Sequence, residues 1–221
     1  MLDHAAAAAI ANIGPDLPKE TVRVSGNRGF WATKRLFDIA MSLALLPVML
    51  ALMPVLLLLN PFFNRGRLFF VQERMGRDCR PFRAIKFRTM THVAEIRRKH
   101  DEPIELDRIT QLGRFLRRTR LDEVPQILNV LKGEMSLIGP RPDYYEHAVK
   151  YAEIIPGYRA RHAVRPGISG LAQVGLGYAE GLEATRAKTA VDHYYIEHAG
   201  FRLDTVIALK TVQAVLFGAG A

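Results

Sequence analysis

Two adjacent acids, Asp122 and Glu123, follow a cluster of arginines in the stretch RRTRLDEVPQ. Pro125 stands just behind them, and proline is tolerated in the first turn of a helix because the amides there lack intrahelical partners. We therefore expect a helix to begin close to the acids, which places both carboxylates at the positive end of its dipole. Acids at a helix start with arginines upstream suit a phosphate-handling active site. An ordinary charged first turn is the alternative.

Three further segments could supply cations to such a site. A rigid Gly-Pro-Arg-Pro turn restricts the backbone of Arg141 and presents a planar guanidinium to a phosphate at low entropic cost. Arg165 precedes two glycine turns whose backbone amides can line an anion site. Alternation in FRAIKFR places Lys86 and Arg88 on one polar face of a predicted strand, although solvated charges on a half-buried strand are the alternative.

Composition limits the partners and the architecture. The chain has 221 residues, enough for one ordinary domain with an appendage, and its net charge of +9 indicates anionic partners: nucleic acid, a phospholipid surface or phosphorylated substrates. The single cysteine, Cys79, excludes an internal disulfide and a cysteine-based zinc site, and it fits a reducing compartment.

A long apolar segment indicates a membrane helix. Residues 39–59 carry no charge, and a straight helix of that length would reach about 30 Å, which is enough to cross a bilayer core. Pro47 and Pro54 predict a break near the middle. The carbonyls freed there need a donor, and Ser42 is the only hydroxyl within the stretch. Basic residues flank both ends, so both ends are expected on the cytoplasmic side. We predict a re-entrant hairpin; one spanning helix kinked at proline is the alternative.

These features divide the chain into three parts. Residues 1–33 are expected to form a mobile tail, residues 34–60 the re-entrant membrane helix, and residues 61–221 a cytoplasmic catalytic domain with interfacial helices. Two short strands joined by a turn at residues 76–81 predict a small sheet, and the segment ITQLGRFLRRTR predicts a basic amphipathic surface helix. The predicted fold class is α/β (α+β). Asp38 is expected to pair with Arg35 at the start of the membrane segment.

Taken together, the motifs resemble the bacterial sugar transferase family, the monotopic phosphoglycosyl transferases that start glycan assembly on polyprenyl phosphate. From residue 34 to the C-terminus, the matching segments are KRLFDIA, FFVQERMGR, FRAIKFRTM, ITQLGRFLRRTRLDEVPQILNVLKGEMSLIGPRP, RHAVRPGISGLAQV and DHYYIEH. The long block around LDE and GPRP is highly specific, whereas the other segments are individually weak.

The resemblance implies a reaction and its machinery. A sugar 1-phosphate would pass from a UDP-sugar to polyprenyl (undecaprenyl) phosphate with release of UMP, as the first membrane step of exopolysaccharide or other glycoconjugate assembly. Asp122 is implied to be the nucleophile that forms a covalent phosphosugar intermediate, and Glu123 to bind Mg²⁺. The implied phosphate- or substrate-binding residues are Arg117, Arg141, Lys86, Arg88, Arg165 and Gln173.

The resemblance also implies a setting and leaves alternatives. The chain is expected at the bacterial inner membrane, among its lipids, with the catalytic domain on the cytoplasmic face; a homodimer is left open. Gly177 stands where the family often has an arginine, and Arg186 could replace it. A membrane-tethered nucleic-acid-binding protein or a non-catalytic basic scaffold is the alternative. We expect no nucleic-acid partner because no RNP-like aromatic platform, zinc knuckle or helix-turn-helix is evident.

Overall fold

The structure is a computed structural model that describes residues 21–64, 66–91, 105–176 and 181–216. Helices and two small sheets combine in one chain, which confirms the predicted α+β class. The helices are α1 (Arg28–Phe63), α2 (Gln111–Arg118), α3 (Ile127–Lys132), α4 (Tyr145–Ile154), α5 (Leu171–Leu176), α6 (Leu182–Glu197) and α7 (Phe201–Leu216). The strands are β1 (Phe69–Met75), β2 (Pro81–Phe87), β3 (Ser136–Ile138) and β4 (Gly167–Ser169). Short 3₁₀ helices lie at Arg77–Cys79, Leu106–Arg108, Leu121–Gln126 and Tyr158–Ala163.

The two sheets are each a pair of strands. β1 and β2 form the predicted antiparallel hairpin, with Phe69 opposite Phe87. β3 and β4 pair in parallel, and the connection between them contains α4. A Cβ atom on Gly167 would lie 2.2 Å from the backbone nitrogen of Gly139, so this pairing requires glycine. The parallel pair thereby holds the Gly-Pro-Arg-Pro loop, which follows β3, against the start of β4.

The apolar segment forms one long helix rather than two. α1 is helical from Arg28 to Phe63, so residues 28–33, which the sequence placed in the mobile tail, form its first turns. Pro47 and Pro54, predicted to break it, lie inside it without interrupting it. Each proline removes one backbone hydrogen bond, and the remaining bonds and the packing of α1 continue through both positions. The Ser42 hydroxyl is buried without a hydrogen-bond partner among the described residues, so it does not serve as the expected donor.

Both ends of α1 are bound to the same domain. Near its start, Lys34 Nζ lies 2.6 Å from Asp204 Oδ2 in α7. At its end, the side chain of Asn64 donates to the carbonyl of Arg88 at 2.9 Å. Between these points Met49 and Leu56 are buried in a cluster with residues of β2, α2 and α3. These contacts bind α1 to one domain near both ends and in its middle, and the same-side arrangement of its ends stays a prediction.

The opposite face of α1 is apolar and exposed. By length and composition α1 could cross a membrane, and only 17% of its most apolar window is buried against the rest of the protein. Its exposed large apolar residues are Leu36, Phe37, Met41, Leu43, Val48, Leu50, Val55, Leu57, Leu58, Phe62 and Phe63. Phe115 in the basic helix α2 and Leu209, Val212 and Leu216 in α7 are exposed as well. These faces suit a lipid surface, as predicted for amphipathic surface helices.

The same-side arrangement predicts a labelling pattern. In a Cys79→Ser background, cysteines at Arg28 and Arg67, both exposed beyond or near the ends of the apolar stretch, should react with an impermeant maleimide from one face of sealed vesicles only. Leu50→Cys, on the exposed apolar face, is the matched control and should be protected until detergent is added. Labelling of the two end positions from opposite faces would contradict the arrangement.

Candidate active site

The two acids lie in a 3₁₀ helix that precedes an α-helix. The sequence predicted one helix beginning near Asp122; instead a 3₁₀ helix spans Leu121–Gln126, which we call the acidic turn, and α3 follows directly. The amide of Glu123 donates to the carbonyl of Arg120 at 3.1 Å, an i to i+3 bond of this tighter geometry. Gly133 ends α3 in the left-handed conformation (φ 87°), which confirms it as the predicted stop.

Asn129 fixes the acidic turn and α3 against the edge of β2. Its side-chain oxygen accepts the amide of Ile85 at 3.1 Å, and its side-chain nitrogen donates to the carbonyl of Arg83 at 2.7 Å. The fully buried amide group thus pairs with the free strand edge much as a neighbouring strand would. Because Lys86 follows Ile85 in β2, this contact brings its ammonium to the acids.

Glu123 is the centre of a buried ion-pair network. Lys86 Nζ lies 2.5 Å from Glu123 Oε1, and Arg141 forms an ion pair with the same oxygen. A second Arg141 nitrogen lies 3.3 Å from Oε2, which makes a forked contact, and Arg120 Nη1 lies 3.9 Å from Oε2. The network joins β2, the acidic turn and the Gly-Pro-Arg-Pro loop at a single carboxylate.

The pKa values of Glu123 and Lys86 are both lowered in this network, against the effect of burial on the acid and in line with the effect of burial on the lysine. Burial would raise the pKa of Glu123, but Arg141 and Lys86 outweigh it and hold the pKa well below its usual range. Burial lowers the pKa of Lys86 to about 8, and Arg141 and Arg74 add to this fall while Glu123 opposes it. Glu123 is therefore charged at neutral pH, and Lys86 titrates near physiological pH.

Asp122 differs from its neighbour in having an available oxygen. The side chain is buried, and its Oδ1 has no hydrogen-bond partner among the residues that the structure describes. Burial raises the pKa of Asp122; Lys86, Arg141 and Arg117 oppose the rise, and Glu123 adds to it. A desolvated carboxylate oxygen among cations, and not itself bonded, is suited to attack a phosphorus atom.

A second buried network positions Arg141. Arg161, which is almost fully buried, donates to the Arg141 carbonyl at 2.7 Å and pairs with Asp192 of α6 at 2.7 Å. It also forms an ion pair with Asp143, which in turn pairs with Lys188 of α6. Arg161 thereby binds the backbone of the Gly-Pro-Arg-Pro loop, while the Arg141 side chain contacts Glu123.

The structure brings only some of the predicted phosphate-binding residues together. Lys86 and Arg141 contact Glu123, and Arg117 donates to Thr89 at 3.0 Å while its charge lowers the pKa of Asp122. Arg88 lies elsewhere: its Nε donates to the Arg67 carbonyl at 2.7 Å, beside the ring of Phe70.

Arg165 and Gln173 have other surroundings. Arg165 donates to the Gly133 carbonyl at 2.9 Å and makes no contact with the acidic turn among the described residues. Burial lowers the pKa of Arg165 most, and the nearby charges of Arg35 and Arg77 lower it further. The side-chain oxygen of Gln173 is buried without a partner among the residues that the structure describes, one turn into α5. Gly177 lies outside the described residues, and Arg186 pairs with Glu183 at 2.8 Å.

The acid pair fits a magnesium ion through Asp122 more readily than through Glu123. Mg²⁺ is usually held by one or two carboxylates together with substrate phosphates, and the unbonded Asp122 Oδ1 is such a ligand. Both oxygens of Glu123 face cations, so a metal ion there would replace at least one ion pair. No group of three or more histidine, cysteine or acidic side chains that could hold a metal occurs in the described ranges.

Three residues of this site carried no separate assignment from the sequence. Asn129 and Arg161 act through partners far away in the chain, and no local pattern distinguishes them. Arg120 is the arginine nearest the acids, and its left-handed backbone (φ 57°) is visible only in the structure. Its place directly before LDE was the only available indication.

Comparisons with known proteins identify the family of the chain. The profile of the bacterial sugar transferase family matches residues 30–218. A UDP-N-acetylgalactosamine-undecaprenyl-phosphate N-acetylgalactosaminephosphotransferase of Aeromonas hydrophila is 41% identical over 191 residues, which are 85% of this chain and 44% of the relative. A UDP-glucose:undecaprenyl-phosphate glucose-1-phosphate transferase of Klebsiella pneumoniae is 40% identical over 182 residues, 81% of this chain and 39% of the relative.

A third relative is of similar length to this chain. The exopolysaccharide production protein PSS of Rhizobium leguminosarum bv. phaseoli is 38% identical over 193 residues, which are 83% of this chain and 94% of the relative. The chain thus spans less than half of the first two relatives and almost all of the third. Because the family profile covers the long helix, the acidic turn and both sheets, the chain belongs to the bacterial sugar transferase family.

Proposed function

We propose that the protein transfers a sugar 1-phosphate from a UDP-sugar to undecaprenyl phosphate and releases UMP. The observation that carries the proposal is the buried Asp122 oxygen without a partner, surrounded by Lys86, Arg141 and Arg117. The relatives named as UDP-sugar:undecaprenyl-phosphate transferases support the two substrates. The lipid acceptor also explains why the catalytic domain is bound to a long apolar helix.

The reaction divides into two displacements at the same phosphorus. In the first, an Asp122 oxygen attacks the phosphorus next to the sugar, the bond to the bridging oxygen breaks, and UMP leaves with the electron pair. In the second, a phosphate oxygen of the lipid attacks that phosphorus and the bond to Asp122 breaks, which regenerates the carboxylate. No water molecule is consumed in either displacement, and the product is a polyprenyl diphosphate sugar.

The surrounding residues stabilise charge and hold the nucleophile in place. Lys86 and Arg141 face the phosphoryl oxygens on which charge develops, and Glu123 fixes both cations through its ion pairs. Arg161 holds the Arg141 backbone, so the guanidinium is positioned before substrate arrives. Glu123 is therefore a positioning residue in this account as well as an implied metal ligand.

Mg²⁺ belongs to the proposal as a cofactor. Asp122 would hold it through the carboxylate oxygen that does not attack, and Glu123 would join only by exchanging one of its ion pairs; bound there, the ion would neutralise charge on the substrate phosphates. We also propose that the protein acts at the cytoplasmic face of the bacterial inner membrane, because basic residues flank both ends of α1.

UMP release tests the reaction. Detergent-solubilised protein with Mg²⁺, undecaprenyl phosphate and a panel of UDP-sugars should release UMP with at least one donor. Asp122→Asn should lower that release by at least about a thousandfold, the scale expected on loss of a covalent nucleophile, while its thermal unfolding stays close to that of the wild type. Folded wild-type protein that is inactive with every donor would contradict the proposal.

The alkaline limit of activity tests the role of Lys86. The pKa of Lys86 is lowered to about 8, so its positive charge is present below that pH and is lost as the pH rises through it. The value of kcat/KM should therefore fall above a pH of about 8. In Lys86→Arg, the guanidinium remains protonated and the fall should move to a higher pH.

The control for this profile is Arg83→Gln, which removes an exposed charge on the same strand. It should leave the alkaline limit where the wild type has it. An unchanged limit in Lys86→Arg would assign the titration to another group.

A further inference from the structure

Thr89 is a buried polar residue outside the acid pair and its ion-pair partners. It lies two residues beyond the end of β2, and its hydroxyl oxygen accepts the Nε–H of Arg117 at 3.0 Å. Among the described residues, this is the one hydrogen bond that the Thr89 side chain forms. Because the donor is charged and the acceptor is buried, the bond is stronger than one between neutral groups in water.

The packing of α2 depends on the backbone of Thr89 and not on its side chain. The amide of Thr110, directly before α2, donates to the Thr89 carbonyl at 3.2 Å. A Cβ atom on Gly113 would lie 1.9 Å from the same carbonyl oxygen, so the first turn of α2 lies directly against the Thr89 main chain. Any residue at position 89 would supply this carbonyl. The hydroxyl is therefore not needed to pack α2 in its place.

The end of α1 fixes the segment that carries Thr89. The Asn64 side chain donates to the Arg88 carbonyl at 2.9 Å and accepts the Thr110 hydroxyl at 2.5 Å. Arg88 directly precedes Thr89, and Thr110 directly precedes α2. Asn64 thus binds both segments that meet at the Thr89–Arg117 contact, so the acceptor and the donor of that contact have fixed relative positions.

The Thr89 hydroxyl determines the orientation of Arg117. Arg117 lies in the last turn of α2, one turn after Gly113, and the bond to Thr89 is the one hydrogen bond that its side chain forms among the described residues. A guanidinium has five N–H donors, so a bond through Nε fixes the plane of the group and leaves both terminal nitrogens for a phosphate. The charge of Arg117 opposes the rise that burial causes in the pKa of Asp122, so the guanidinium lies within electrostatic reach of that carboxylate.

We propose that Thr89 is a positioning residue, which holds the Arg117 guanidinium at Nε so that its two terminal nitrogens bind the phosphate transferred at Asp122. Lys86, three residues earlier, lies 2.5 Å from Glu123. Residues 86–89 thus supply one cation to Glu123 and orient a second toward Asp122. The identity of the phosphate rests on the proposed function, whereas the orientation of Arg117 by Thr89 does not.

Substitutions at Thr89 separate the hydroxyl from the rest of the side chain. Thr89→Val and Thr89→Ala remove the hydroxyl, and kcat/KM for the UDP-sugar should fall by about tenfold in both, the scale of one lost hydrogen bond to a charged group. Thr89→Ser keeps the hydroxyl and should retain the wild-type value. Thr91→Val, the same change at an exposed threonine two residues later, is the matched control and should also retain it. A fall in Thr89→Ser as large as in Thr89→Val would overturn the inference, because the methyl group would then be what matters.

A double-mutant cycle shows whether Thr89 acts through Arg117. Arg117→Met removes the guanidinium, so Thr89→Val should cause no further loss of activity in that background. The same loss in both backgrounds would mean that Thr89 acts independently of Arg117, and the inference would then be wrong.

Binding of inorganic pyrophosphate keeps the test independent of turnover. Calorimetry on the whole chain in detergent should show binding that weakens by about tenfold in Thr89→Val and Thr89→Ala but not in Thr89→Ser or Thr91→Val. In the Arg117→Met background, Thr89→Val should leave the binding unchanged. This pattern in protein that turns over no UDP-sugar would support the inference and contradict only the proposed function. Equal binding by wild type and Thr89→Val, or no binding by the wild type, would overturn the inference.

Discussion

The site depends on the burial of one charge. Glu123 lies inside the protein, where a carboxylate without partners would be strongly destabilising, so its position requires cations that reach it from other elements. Lys86 comes from β2 and Arg141 from the loop after β3. Satisfying this carboxylate therefore brings together three segments that are distant in sequence, and it leaves Asp122, the next residue, surrounded by positive charge with an oxygen free. The catalytic arrangement follows from the pairing of its neighbour.

The long helix is bound to the same elements that hold the acids. Arg35 donates to the carbonyls of Val130 and Leu131 near the end of α3, and Asp38 accepts the amide of Leu137 in β3. α3 follows the acidic turn, and β3 leads to the Gly-Pro-Arg-Pro loop. The long helix thus contacts both segments that supply the site; in the proposed reaction, this would bring the lipid acceptor and the sugar donor to one place. The predicted Arg35–Asp38 pair is wrong for this reason: each residue binds backbone groups of the domain instead.

Features that depend on residues close together in the sequence were predicted from it. The β1–β2 hairpin, the end of α3 at Gly133 and the convergence of Lys86 with the acid pair all agree with the sequence analysis. Residues whose partners are distant were not predictable: Asn129 resembles any helix-surface amide until β2 packs against it. The alternation of the strand predicted that Arg88 lies on the same face as Lys86. However, β2 ends at Phe87, and the Arg88 side chain binds the Arg67 carbonyl instead. The division of the membrane segment at its prolines was likewise not seen, because packing along the domain carries the helix through them.

The central claim is that Asp122 takes the phosphosugar before the lipid accepts it. Protein incubated with a competent UDP-sugar and Mg²⁺, but without undecaprenyl phosphate, should release about one UMP per molecule, as a covalent intermediate requires. Intact mass spectrometry should then show a gain of one phosphosugar, located on the peptide that contains Asp122 and lost when lipid is added. Asp122→Asn should show neither change. UMP release that occurs only when the lipid is present, with no adduct at any time, would mean direct transfer and would contradict the account.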